Sequence, residues 1–493
     1  MGKRDSNKKR TITPAQKWGL GLGDLGYSLI ANTLASYILF FGNTVMGVPG
    51  TVMGAAISVG TVWDAITDPA QGFISDNTRN KFFGRRHLYI LIGLIGMVIG
   101  NIFLWAVPQS FPIWAKFVWF LFFMLLMKTF FTLFSTPNNA LSLEISYDYD
   151  ERSSIQIFKG IFTILGLLLP TVLMVLFQKP TAEISDGRLN PQSYVNFSYF
   201  TSAAAIVLCT YMFIITFSHV PRLRELAKKE KEQEGGFKQG FIRIFKNFGG
   251  ALKDKNFRAV AIGFAVSMFA ASVIIAVGFN VFTFTFNTSN IQMYIIMAGL
   301  FVMTIVGQPL WMKISKKYDK KKALIIGQII SLVGCLMLGV MVALRTPINN
   351  LLAQNKAAVI VMMPPLMVAG LGTGVLYSLP MALIGDVTIV EKLKRGEDKT
   401  ATYSGFLTFS NKTGQALAQV VLGVCLDLIK FVPGSQTQTE AVKISLGWLM
   451  FGGCTLAVIA GLLIFSTFKL KRPYVEKALD ELGDGLKEEV QKS

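Results

Sequence analysis

Long apolar runs separated by short polar breaks recur along the whole of this chain. Twelve stand out, at about 18–45, 51–77, 87–107, 111–143, 155–178, 195–218, 257–286, 290–314, 323–344, 357–385, 400–430 and 444–469. Each reaches the ~20 residues that cross the hydrocarbon of a bilayer as a helix. Inside hydrocarbon every backbone polar group must be satisfied within the segment or by a neighbouring strand, which leaves helices or a closed barrel. The runs are near-continuous rather than alternating, and this excludes a barrel. The pattern therefore predicts an all-α membrane protein with twelve transmembrane helices.

Composition agrees with the pattern. Of 493 residues, 52% are hydrophobic and only 16% charged, and the mean hydropathy is +0.49. A soluble domain carries about 25% charged residues, so there is too little polar surface here to coat a water-soluble particle. The first run is too long and too interrupted by glycine for a signal peptide, and no small-residue cleavage site follows it.

The net charge of +19 gains meaning from its placement. Alternate connections are basic: Lys3, Arg4, Lys8, Lys9, Arg10 and Lys17 before the first run, then Arg79, Lys81, Arg85 and Arg86. Further on come Arg222, Arg224, Lys228, Lys229 and Lys231, then Lys316 to Lys322, then Lys392, Lys394, Arg395 and Lys399. The opposite connections, such as 45–50 and 287–292, are short and nearly uncharged. Such asymmetry marks the cytoplasmic side, so both termini are expected in the cytoplasm, with the short loops suggesting a bacterial inner membrane. The basic charge orients the chain and touches anionic lipid; no nucleic-acid partner is expected. Cys209, Cys335, Cys425 and Cys454 all lie in apolar runs without metal-ligand or CxxC spacing, and His87 and His219 lie at membrane edges. Neither a disulfide framework nor a metal site is expected.

A polar stretch at 219–256, including Lys228-Lys229-Glu230-Lys231-Glu232, divides the runs into six and six. The expected organisation is a cytoplasmic arm at 1–17, a six-helix half at 18–218, a cytoplasmic linker at 219–256, a second six-helix half at 257–469 and a cytoplasmic tail at 470–493. The halves echo each other between their second and third helices: Gly72, Asp76, Arg79, Gly84, Arg85 and Arg86 in one, Gly307, Asp319, Lys320, Lys321 and Lys322 in the other. Internal duplication is common in transporters, with the substrate site between the repeats near the membrane midplane. The first of these loops resembles the G-x-x-x-D-x-x-x-R…G-R-R loop of the major facilitator superfamily. Its acidic and basic groups would form an inner-face latch that breaks and reforms.

Ionisable residues inside the runs carry most of the remaining information, because a charge in the bilayer is costly and normally faces a cavity or a partner. Asp64 and Asp68 are four apart on one helix, so they share a face about 6 Å apart. Two carboxylates so close share a proton or hold a cation, and Thr67 offers a further oxygen. Asp24 lies in the first run, and Lys412 in the eleventh is the natural counter-charge for the two acids. Lys128, Thr132, Ser135 and Asn139 fall within about 40° of each other on the fourth helix at ~100° per residue. On that face Lys128 either clamps an anionic substrate group or forms an internal ion pair. Tyr27, Asn32, Asn138, Asn280 and Tyr377 are polar groups that can bond a solute or a neighbouring helix. The Gly-x-Gly-x-x-Gly spacing at 21–26 lies inside a membrane run, which makes a poor dinucleotide site, and no Walker loop is present, which argues against an ATP-driven pump.

The segment Trp63-Asp64-Ala65-Ile66-Thr67-Asp68-Pro69 followed by Gly72 resembles the W-D-A-x-x-D-P-x-x-G signature of the glycoside–pentoside–hexuronide:cation symporters, the melibiose-carrier family. The Gly-x-Gly-Asp ending at Asp24, Pro137, Asp386 and Lys412 fit the same pattern in order. The resemblance implies a facilitator fold in which Asp64 and Asp68 bind Na+, Li+ or H+ with Lys412 beside them. Ser28 and Ser135 stand where the melibiose carrier has sugar-binding acids, and Lys159 matches its basic residue on helix five. A different way of holding substrate is therefore implied.

These readings converge on a cation-coupled symporter of a glycoside, pentoside or hexuronide, working by alternating access. Asp64, Asp68 and Thr67 form the expected cation site and Lys412 the coupling lysine. The expected substrate residues are Asp24, Tyr27, Ser28, Lys128, Ser135, Asn139, Lys159 and Tyr377, and the inner-face latch is Asp76, Arg79, Arg85, Arg86 and Asp386. No cofactor is expected beyond the coupling ion. The expected partners are a small-molecule substrate, a sugar or sugar acid, and membrane lipid, around a monomer. Rival readings are a lysophospholipid symporter, a proton-driven exporter and a non-transporting membrane sensor; no nucleophile–base or metal constellation points to an enzyme.

Overall fold

The computed structural model describes residues 12–146, 149–229, 252–395, 400–470, 472–478 and 481. Most of the expected arm, much of the expected linker (230–251) and the tail from 482 lie outside the described residues. Among those described, the regular structure is helical throughout, with no strand. The first six long helices are Pro14–Phe40, Gly50–Asn77, His87–Trp105, Ile113–Glu144, Tyr149–Met174 and Pro191–Thr216. After a short amphipathic helix, Val220–Lys229, come Lys255–Asn280, Asn290–Tyr318 and Lys320–Ala343. Span ten is Met363–Thr373 continuing as Leu379–Arg395, span eleven is Thr400–Leu428 and span twelve is Glu440–Ser466.

Ten of these segments are long and apolar enough to cross a membrane. The other two long helices, Gly50–Asn77 and Thr400–Leu428, fall below that hydropathy and carry Asp64, Asp68 and Lys412. They pack against each other across the molecule, shielding their polar faces from hydrocarbon. Spans one to six otherwise pack mainly among themselves, as do seven to twelve.

Local chemistry starts these helices. Thr13 accepts from the Gln16 amide in a capping box with Pro14 in the first turn, and Ser289 and Gln292 repeat the box before span eight; both satisfy orphan N–H groups. Asp254 caps span seven through the Asn256 and Phe257 amides. Span two begins after Pro49 without a side-chain cap of its own. Its cap comes instead from span eleven: Asp427 accepts from the Gly50 amide at 2.9 Å and the Thr51 amide at 2.8 Å. Below this cap the two helices touch backbone to backbone. A Cβ on Gly423 would lie 2.2 Å from the Gly50 carbonyl oxygen, and one on Gly54 would lie 2.5 Å from that of Gln419.

The duplication suspected from the loops has a sharper counterpart in the backbone. Spans one and seven each end in a five-residue π-turn, Phe41–Val45 and Val281–Thr285. Each is closed by matching bonds, Met46 amide to Phe41 carbonyl and Phe286 amide to Val281 carbonyl. Wide turns of this kind recur at functional sites. Thr44 of one donates to Asn280 beside the other at 2.8 Å.

The halves are thus joined at the end opposite the basic loops. Besides Asp427 and Thr44, the Gly434 amide donates to the Asn43 carbonyl at 3.3 Å and Asn290 to the Gln178 carbonyl at 3.3 Å. Three ion pairs of the first half and one of the second lie at the basic end among the described residues. Arg86 meets Asp76 at 2.6 Å and Glu144 at 2.5 Å, and Arg85 meets Glu144 at 3.1 Å. Lys320 meets Asp386 at 2.5 Å in the other half. Gly84, at φ +66°, makes the turn that aims Arg85 and Arg86 inward. The residues expected to form one inner-face latch therefore meet in two groups, one per half, joined by Glu144 in the first and Lys320 in the second; Arg79 lies exposed on the same loop.

Candidate functional site

Span two brings Asp64 and Asp68 to one face, and span eleven lays Lys412 against both. The Lys412 ammonium lies 2.8 Å from Asp64 Oδ2 and is in contact with Asp68 Oδ2. Span four supplies the other side. Thr132 Oγ1 is 3.2 Å from Asp64 Oδ1 and 2.7 Å from Asp68 Oδ1, and Lys128 Nζ is 3.5 Å from Asp64 Oδ2. The side chain of Asp64 is 11% exposed and that of Asp68 30%, so Asp68 is the more accessible acid. Pro69 has no N–H to offer the Ala65 carbonyl one turn back, which leaves a backbone oxygen between the two acids outside the helical ladder.

Thr67 joins the cluster through Thr132. Its hydroxyl donates to the Trp63 carbonyl at 3.0 Å and approaches Thr132 Oγ1 at 3.3 Å. Thr132 is the hydroxyl that bridges the carboxylates. The helical face of Lys128, Thr132 and Asn139 was visible in the sequence, but not which of its members reaches the acids.

A second ion pair lies within the first half. Asp24 of span one is 3.4 Å from Lys159 of span five and accepts from Asn138 at 2.6 Å. Lys159 also donates to Asn139 Oδ1 at 2.9 Å. Span four therefore serves both clusters: Lys128 and Thr132 face the span-two acids, while Asn138 and Asn139 face the Asp24–Lys159 pair.

Two cavities adjoin these clusters. One of about 240 Å³ lies between the halves, lined by residues including Asn32, Thr61, Lys128, Tyr377, Gln415 and Gln419. The other, of about 390 Å³, is lined by Asp24, Asn139, Gln156, Lys159, Gln308 and Tyr377 among others. Leu167 and Tyr377 line both. Tyr377 ends the single 3₁₀ turn, Gly374–Tyr377, that interrupts span ten; irregular backbone at membrane depth is tolerated where it borders a cavity. Gln419 Oε1 is buried in the first cavity without a hydrogen-bond partner among the described residues.

The remaining expected substrate residues sit away from these walls. Tyr27 packs its ring on Phe131 and Phe134 at centroid distances of 5.4 and 5.7 Å. Ser28 is buried against span five, where a Cβ on Gly166 would lie 2.3 Å from its own Cβ. Neither Tyr27, Ser28 nor Ser135 lines either cavity. Side-chain size at a helix crossing decides this, and periodicity on a single helix carries no such information.

Residues 19–472 match the family model described as MFS/sugar transport protein. The sodium-dependent lysophosphatidylcholine symporter 1 of Mus musculus is 25% identical over 97% of this chain and 90% of its own length. The inner membrane symporter YicJ of Escherichia coli is 25% identical over 42% of this chain and 44% of its own. Among solved structures, a bacterial homolog of the human lysosomal transporter Spinster, inward-facing and unoccupied, superposes with a TM-score of 0.63 at 15% identity, covering 93% of this chain and 98% of that one. The nucleoside transporter NupG gives 0.62 at 14% identity, covering 92% and 99%; at such identities the likeness speaks for the fold alone. The chain belongs to the MFS/sugar transport protein family of the major facilitator superfamily, and is an integral membrane transporter rather than an enzyme.

Proposed function

We propose that this protein is a cation-coupled symporter working by alternating access, with Asp64 and Asp68 as the cation site. One observation carries the reading: two span-two carboxylates of the first half are held by Lys412 of the second. A hard cation prefers oxygen ligands, and the Asp64, Asp68 and Thr132 side chains with the Ala65 carbonyl offer a compact set. A cation entering that set shares the carboxylate oxygens that hold the Lys412 ammonium. Ion binding thereby acts on a contact between the halves, the contact that rocking must alter. The naming of relatives as sodium-dependent symporters supports Na+ as the ion, with Li+ and H+ as the alternatives. With the basic end taken as cytoplasmic, the joined opposite end makes this the inward-facing arrangement.

The substrate is proposed to be a glycoside, pentoside or hexuronide. The family description names sugar transport, and the two adjoining chambers fall near the ~300–1,000 Å³ of small-ligand pockets. A lysophospholipid is the second reading, favoured by the relatives that match along nearly the whole chain. Thermal unfolding of the purified protein against neutral glycosides, hexuronides and lysophospholipids, in Na+ and in choline, separates them. Stabilisation by a sugar that is larger in Na+ supports the first reading, and stabilisation confined to lysophospholipids replaces it with the second. No response to any ligand or to Na+ counts against cation symport itself.

A further inference from the structure

The span-two acids do not face one lysine but two. Lys412 and Lys128 approach Asp64 Oδ2 from opposite helices, at 2.8 and 3.5 Å. Two carboxylates and two ammonium groups leave the cluster with no net charge. A cation entering it therefore raises the net charge to +1 in a poorly solvated interior, where an uncompensated charge is expensive. Either an ammonium must leave the acids or an anion must arrive.

Geometry decides which ammonium is free to leave. Lys412 touches both acids, whereas Lys128 touches only Asp64 and at the longer distance. Lys128 also lines the cavity between the halves, so its long, flexible stem can swing from the acid into that space. There it joins Gln419, whose Oε1 lacks a partner among the described residues. Lys412 is not among the residues lining that cavity. An ammonium delivered into a mostly apolar cavity needs a counter-charge.

We propose that Lys128 is a tethered cation that the coupling ion displaces, and that the substrate carries an anionic group, a carboxylate, sulfate or phosphate, which Lys128 then holds. This deepens the proposed function and rests on it: the cation makes the anion site by releasing Lys128, and the anion makes the cation site by keeping Lys128 away from Asp64. Reciprocal strengthening of the two ligands follows by linkage. A neutral solute would leave the ion and the released ammonium without balance, which narrows the proposed sugars to the hexuronides and leaves the lysophospholipid reading standing.

The test needs no knowledge of the natural substrate. Na+ and Li+ are titrated into the purified full chain with ionic strength held by choline, and intrinsic tryptophan fluorescence is followed, to which Trp63 beside Asp64 contributes. Lys128→Met should lower the half-saturating Na+ at least tenfold, and Lys128→Gln should do the same, because the internal competitor is gone; Lys128→Arg should stay near wild type. Inorganic phosphate, as the minimal anion, should lower half-saturation at least threefold in wild type and leave Lys128→Met unchanged. Equal half-saturation in wild type and both neutral variants overturns the displacement while leaving the cation site standing. A phosphate effect absent from wild type, or of the same size in Lys128→Met, overturns the anion clamp. No response to Na+ or Li+ in any of the proteins removes the metal-ion reading of Asp64 and Asp68, and this inference with it.

Discussion

Two buried clusters of acid and lysine lie side by side in this molecule, built from similar parts on different terms. Asp24, Lys159, Asn138 and Asn139 all belong to the first half. Asp64, Asp68, Thr132 and Lys128 face Lys412 of the second half. The chemistry is nearly the same and the topology is not. An ion pair within one half moves as a rigid unit with that half, so it can shape a pocket or hold helices together but cannot sense rocking. A pair shared by both halves must change when they separate. In the proposed mechanism, position relative to the dividing plane, rather than residue type, assigns one cluster to coupling and the other to support.

The largest effect should come from breaking the supporting cluster. Lys159→Met leaves the Asp24 carboxylate in the interior without its cation, a change that costs about 3–5 kcal/mol. Thermal unfolding in detergent should fall accordingly, and Asp24→Asn combined with Lys159→Met should recover most of the loss. Lys412→Met should cost less, because Asp64 keeps Lys128 and Asp68 is partly exposed. Equal losses for Lys159→Met and Lys412→Met would erase the distinction between the clusters.

Neutralising the shared acids should instead spare stability and remove coupling. Asp64→Asn and Asp68→Asn are each expected to reduce ion-driven solute accumulation in vesicles by roughly 5–150-fold, the usual span of a coupling free energy. Exchange without an ion gradient should be less affected.

The dividing plane can also be wedged. A side chain at Gly423 meets the Gly50 carbonyl, so Gly423→Val should hold the halves apart at the closed end. Labelling of Ser58→Cys by an impermeant maleimide should then rise severalfold. Unchanged labelling would mean that the span-two and span-eleven crossing is not a moving contact. The smallest effect is expected at the borrowed cap: Asp427→Ala exposes the first-turn amides of span two and should cost about 1 kcal/mol, read as a modest loss of thermal stability.

Most of the fold was legible because the bilayer reduces the problem to runs of apolar residues. The weakest runs, spans two and eleven, were read correctly as long helices despite their polarity, since Asp64, Asp68 and Lys412 are tolerable once they face each other. The helix Arg345–Gln354 was missed because it is short and polar, and the break in span ten at Gly374–Tyr377 because Pro380, just beyond it, is also tolerated inside a continuous membrane helix. In the site, periodicity put Asp64 and Asp68 together and suggested Lys412. It could not add Thr132 to the two acids, pair Asp24 with Lys159 or Lys320 with Asp386, or find Asp427 and Glu144. Those choices depend on which helices cross, and at what depth, information that enters only with tertiary packing.

Coupling through the shared acids predicts an electrical signal without any substrate. Charge displacement would be recorded in proteoliposomes on a solid-supported membrane after a jump in Na+, Li+ or H+, for wild type and for Asp64→Asn/Asp68→Asn. A transient for at least one of the three ions in wild type, lost in the double variant, is the expected result. A transient that persists in the double variant, or silence to all three ions in wild type, would contradict cation binding at Asp64 and Asp68.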